Sequence, residues 1–93
     1  LPEALAICHF DGTVNIGVTP SAKMLQAAVG AIVDGNVGPK TLASASAVDS
    51  PLHAALAMLE RRKTYYTRLR QFPRYGRGWL NRVEDLRQFI SSC

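Results

Sequence analysis

Apolar residues recur along the chain at intervals of three and four, the period of helices that bury one face. Ala4, Ile7 and Val14 share a face over 3–16, and Leu52, Leu56, Leu59, Tyr66 and Leu69 share one over 51–71. Near the C-terminus Trp79, Val83, Leu86 and Ile90 fall at intervals of four, three and four. Three dipeptides, Thr19-Pro20, Gly38-Pro39 and Ser50-Pro51, place a cap-competent residue before a proline. A proline at the first helical position loses no hydrogen bond and already has helical φ, so each pair predicts a helix start. The pattern predicts helices over 3–16 (stopped by Gly17), 20–30, 39–48 and 51–71, with a last one beginning near Gly78. Residues 71–77, interrupted by Phe72-Pro73 and Tyr75-Gly76, read as irregular. Asp34-Gly35 marks a tight turn within 33–38, compatible with a short hairpin-like bend. No useful run alternates polar and apolar residues, so the expected fold class is all-α with about five helices.

Composition narrows the class. At 93 residues, 47% hydrophobic and 19% charged, the chain has the length for one core and is too apolar for a disordered polyelectrolyte. No apolar run approaches the roughly 18 residues of a membrane span, and no signal-peptide pattern is present. The start at Leu1, without an initiator Met, leads us to expect a fragment of a longer protein. Cys8 lies in an apolar helical pattern and Cys93 is the last residue. A bridge between them would need the ends of the chain to meet, so two free thiols are the expectation. Net charge is +4 and unevenly spread. Residues 1–59 carry two bases and four acids, or −2, whereas 60–93 carry nine bases and three acids, or +6. Such asymmetry points to a basic face and an anionic partner.

Few residues are placed for chemistry. Cys8 and His9 are adjacent, pointing apart on a helix, and His53 is far away, which leaves no metal-ligand spacing. Asp34-Gly35-Asn36 lacks the further oxygen ligands of a calcium loop, and no glycine-rich phosphate loop occurs. Neither histidine has a spaced acidic partner for a serine nucleophile. Asp11 stands out because it shares a helical face with Ala4, Ile7 and Val14, and a carboxylate on an apolar stripe must be paired, hydrogen-bonded or neutral. Two readings follow: a cleft-lining acid with Asn15 one turn away, or a structural carboxylate accepting N–H groups from the helix start at 19–22. Over 61–79, cations interleave with Tyr65, Tyr66, Phe72, Tyr75 and Trp79, which suits stacking on bases or sugar rings beside anionic groups. Tyr66 and Trp79 sit on core stripes, whereas Tyr75 and its neighbouring arginines fall in the expected loop, free to meet a ligand.

Several motifs, in order, resemble those of one family. Phe10-Asp11, Val14-Asn15 and Gly17 resemble an F-D-x-x-V-N-x-G signature. Leu25-Gln26, Gly30, Asp34-Gly35, Val37-Gly38-Pro39 and Thr41 are similar to L-Q…G…D-G-x-[IV]-G-P-x-T. Arg62, Tyr65, Tyr66 and Leu69, then 76–83, resemble an R…Y…L and G-R-G-W-x-x-R-V ending. Over 3–92 the chain thus resembles the predicted peptidoglycan domain, the C-terminal part of lysozyme-like N-acetylmuramidases of glycoside hydrolase family 108, found in bacterial and phage wall-lytic proteins. The resemblance implies binding of peptidoglycan glycan or stem peptide at the cell wall, without a cofactor or metal. It implies that Asp11 and Asn15 line one wall of a glycan cleft, and that Asp34, Thr41, Tyr75, Arg77 and Trp79 shape further contacts. That family's general-acid glutamate lies in an upstream Glu-Gly-Gly-Tyr type motif absent from 1–93, so this chain by itself is expected to bind and its parent to cleave. Gly12 stands where a helix former is expected and weakens the first helix by about 0.5–1 kcal/mol relative to Ala. Two other readings compete: a basic helical module for nucleic acid, and a purely structural domain marked by a large exposed apolar face.

Overall fold

A computed structural model describes residues 1–92. Five helices, and no strand among the described residues, follow one another: α1 (Glu3–Ile16), α2 (Val18–Val29), α3 (Pro39–Ser46), α4 (Pro51–Thr67) and α5 (Phe72–Ser91). The fold class is all-α, as the periodicity predicts. Ser50 caps α4 by accepting the His53 N–H on its side chain, with Pro51 as the first helical residue, and α3 likewise opens on Pro39 after an extended Gly38.

Three boundaries differ from expectation. α2 starts at Val18, because Gly17 at φ 100° both ends α1 and turns the chain directly into α2; Pro20 therefore sits inside the first turn, where its missing N–H still has no helical partner to lose. α4 stops at Thr67 and a short turn covers 68–71. The stretch 71–77, expected to be irregular, is the start of α5. Pro73 lies in its first turn, where proline is tolerated, and the Arg74 and Tyr75 N–H groups both donate to the Gln71 carbonyl. Gly76 is buried because the Phe72 ring lies over its backbone, and a Cβ there would clash with Phe72 Cε2.

α4 is the central helix, packing against α1, α2 and α5, while α3 contacts chiefly α2. The core combines Leu5 and Cys8 of α1, Leu25 and Val29 of α2, Ala45 of α3, Ala54, Ala55, Met58, Leu59 and Tyr66 of α4, and Val83 and Ile90 of α5. With principal extents of 38 × 30 × 17 Å the fold is flattened. Gly12 lets α1 and α2 approach closely, for a Cβ would stand 2.7 Å from Ser21 Oγ. That contact explains a glycine in mid-helix: its propensity cost is offset by a buried Ser21 whose hydroxyl donates to the His9 carbonyl and lies 2.9 Å from His9 Nδ1. No helix among the described residues is long and apolar enough to cross a membrane.

Candidate functional site

Asp11 is buried, 8% exposed, at the junction of α1, α4 and α5. Its Oδ2 accepts from Arg62 Nη2 at 2.5 Å, and its Oδ1 accepts from Arg82 Nε at 3.0 Å and from Arg82 Nη2. Burial alone would raise this carboxyl's pKa, yet the hydrogen bonds from Arg82 and Arg62 reverse that and hold it below its ordinary value. The partners are side chains 51 and 71 residues away rather than the N–H groups at the start of α2. Arg62 is itself buried and donates through Nε to the Tyr66 hydroxyl at 3.0 Å. Asn15 is exposed and donates to the Asp11 carbonyl at 2.8 Å, within its own helix.

Tyr66 carries this chain of contacts onward. Its ring stacks on Trp79 with centroids 4.9 Å apart, and Trp79 lies 5.9 Å from Tyr75. Trp79 is half-buried, Tyr75 is exposed with the Arg74 guanidinium 5.3 Å above its ring, and Arg77 is exposed on the same helix. Tyr75 and Arg77 thus project from the opening turns of α5 rather than from a loop.

Asp34 and Thr41 belong to a second cluster, built on Gln26. This side chain is fully buried, and its Nε2 faces Asp34 Oδ1 at 2.8 Å, the Asn36 carbonyl at 2.9 Å and Thr41 Oγ1 at 3.1 Å. Its Oε1 accepts the Asp34 and Gly35 N–H groups at 3.0 and 2.9 Å. One amide therefore holds the α2–α3 connection in shape, with Gly35 at φ 82° in the bend. The Asn36 N–H and the Gln26 amide lower the Asp34 pKa.

Two grooves flank that connection. One, of about 640 Å³, runs between it and α3 and is lined by Ile32, Asp34, Asn36, Lys40, Thr41 and Ser44 among others. The second, of about 660 Å³, lies between α2 and α4. Its walls carry Thr19 and Lys23 from α2 and Arg61, Thr64, Tyr65 and Arg68 from the α4 side, over apolar Pro20, Met24, Ala27, Val33 and Leu69. No acidic residue lines it. None of Lys23, Arg61 and Arg68 takes part in an ion pair among the described residues, whereas Lys63 and Arg87 are neutralised by Glu60 and Glu84. The sequence signal for this groove is the spacing of Thr19 and Lys23, four apart, facing Arg61, Tyr65 and Arg68 at intervals of four and three. It is hidden because the core stripe of α4 interleaves with the same residues. No group of three or more His, Cys, Asp or Glu side chains among the described residues is placed to hold a metal ion.

Residues 20–84 match the family described as "Predicted Peptidoglycan domain". The chain belongs to this family. The matched region covers the Gln26 cluster, the Tyr75–Trp79 pair and every lining residue of both grooves except Thr19. It leaves out the α1 motif that contains Asp11 and Asn15, although Asp11's two arginine partners lie within it. No curated protein matches the chain.

Proposed function

We propose that this chain is the peptidoglycan-recognition part of a lysozyme-like N-acetylmuramidase and acts in the cell wall. The observation that supports the peptidoglycan half of this reading is the family match over 20–84, which takes in the smaller groove, all of the larger one but Thr19, and the exposed Tyr75 of α5. Tyr75, with Arg77 beside it and Trp79 behind it, offers an exposed ring on which a sugar can pack. Asp34 and Thr41 shape the wall of the smaller groove, and Asp11 fixes Arg82, whose side chain is 55% exposed, at the surface. Asn15, exposed one turn from Asp11, extends that surface onto α1.

Glycosidic cleavage ordinarily needs two carboxyl groups, one of them with a raised pKa. Here Asp11 is held ionised by two arginines, and Glu84 is lowered to about 2 by its hydrogen bonds to Arg87 and Gln88. In this reading the catalytic glutamate stands upstream of Leu1 in the parent protein. A Glu-Gly-Gly-Tyr type motif in the reading frame ahead of Leu1 supports the muramidase parent; a frame without it contradicts that half of the proposal. Co-sedimentation with purified insoluble peptidoglycan tests the other half. Folded chain should pellet with the wall material, and folded chain left in the supernatant would overturn the reading.

A further inference from the structure

We infer that the groove between α2 and α4 receives the peptide part of peptidoglycan by its free carboxylates, and that the glycan strand lies elsewhere; this rests on the peptidoglycan reading above. The groove unites two properties. Lys23 on one wall and Arg61 and Arg68 on the other surround it with three cations that make no ion pair among the described residues, and no acid lies among its lining residues. Between them the floor is apolar, made by Pro20, Met24, Ala27 and Leu69. A peptidoglycan repeat has two chemically different parts: a chain of amino sugars, and a short peptide rich in alanine methyl groups and ending in free carboxylate. The amino-sugar backbone leaves three cations without partners. A polyphosphate satisfies the cations but gains nothing from the floor. An alanine-rich peptide with carboxylates matches both, its methyl groups on Met24 and Ala27 and its carboxylates on the guanidinium forks, which suit that geometry. Thr19 and Thr64 add hydroxyls at the rim for backbone amides. The volume of about 660 Å³ lies within the usual range of about 300–1,000 Å³ for sites that enclose a small ligand.

The test is an NMR titration of the 15N-labelled chain with four probes: a disaccharide-tetrapeptide muropeptide, the free tetrapeptide L-Ala-γ-D-Glu-L-Lys-D-Ala, glycan strands stripped of peptide by an amidase with the lactyl carboxylates this exposes capped as methylamides, and poly(glycerol phosphate). The muropeptide and the free tetrapeptide should both shift Lys23, Arg61, Tyr65 and Arg68. Amidating the peptide's carboxylates should weaken binding at least fivefold, and the exposed pair R61Q/R68Q at least tenfold, with the amide spectrum otherwise unchanged. Muropeptide binding that survives removal of the peptide, or that shifts Tyr75 and Trp79 while leaving the groove unmoved, overturns the inference and leaves the peptidoglycan reading standing. So does a phosphate polymer that shifts the groove residues as strongly as the peptide. Failure of all four probes overturns the peptidoglycan reading, and the inference with it.

Discussion

Asp11 shows how one side chain ties three helices together. Arg62 is 3% exposed at its side chain, so removing its carboxylate partner strands a buried cation, a loss of about 3–5 kcal/mol for pairs of this kind. Asp11→Asn should lower stability by that order in chemical denaturation at pH 7. The pH dependence follows from linkage. Because the folded-state pKa of Asp11 is lowered from 3.8, its contribution is complete above about pH 4 and is lost as pH falls through the lower folded-state value. The stability gap between wild type and Asp11→Asn should therefore close in acid, and a gap that stays constant from pH 7 to pH 2 would refute the assignment. Cys8 supplies a second check on the same region. Burial pushes its thiol up to about 11, with Arg62 opposing only in part, so alkylation at pH 8 read by peptide mass should leave Cys8 unlabelled until the chain unfolds. Cys93, and with it any bridge between the two cysteines, lies outside the described residues. The sequence marked Asp11 as anomalous through its apolar face. Its partners stayed hidden because Arg62 sits in a run of basic residues that looks uniformly solvated.

Elements were legible where their signals are local. Gly38-Pro39 and Ser50-Pro51 start helices as read, and the Trp79, Val83, Leu86, Ile90 stripe buries Val83 and Ile90. The opening of α5 was missed because glycine and proline spoke against a helix there; Pro73 falls in the first turn, where it costs no hydrogen bond, and the Phe72 ring, one turn before Gly76, covers that glycine's backbone. The α2–α3 connection was legible only in part, since its turn residues are evident in the sequence whereas the buried amide that holds them comes from α2. Replacing Gln26 by Leu removes five hydrogen-bond contacts and leaves the buried Thr41 hydroxyl without its Gln26 partner. Destabilisation of about 1–3 kcal/mol is expected, together with loss of amide-exchange protection at Asp34 and Gly35. Unchanged protection there would show that the loop is held by something else.

At the scale of the whole molecule, the excess charge of the C-terminal third is sorted by the fold. Arg62 is buried against Asp11, the same carboxylate holds Arg82 at the surface, and Lys63 and Arg87 are paired there with Glu60 and Glu84. Arg61 and Arg68 join Lys23 from the acidic half of the chain around one groove. The basic face was visible in the sequence, but the groove was not, because its two walls come from helices about 40 residues apart in the chain. Of the expected site residues, Asp34 and Thr41 meet around Gln26 and Tyr75 meets Trp79, while Asp11 connects to the aromatic pair through Arg62 and Tyr66. Binding that depends on unpaired surface cations weakens as salt screens them, over a Debye length of about 10 Å at 0.1 M, so retention on wall material should fall between 0.05 and 0.5 M NaCl. The most direct measurement is the fraction of folded chain retained on purified peptidoglycan at low salt, wild type beside R61Q/R68Q. Retention of the wild type with release of the variant is the predicted result. A wild type that stays in solution, or a variant retained equally well, would contradict the account.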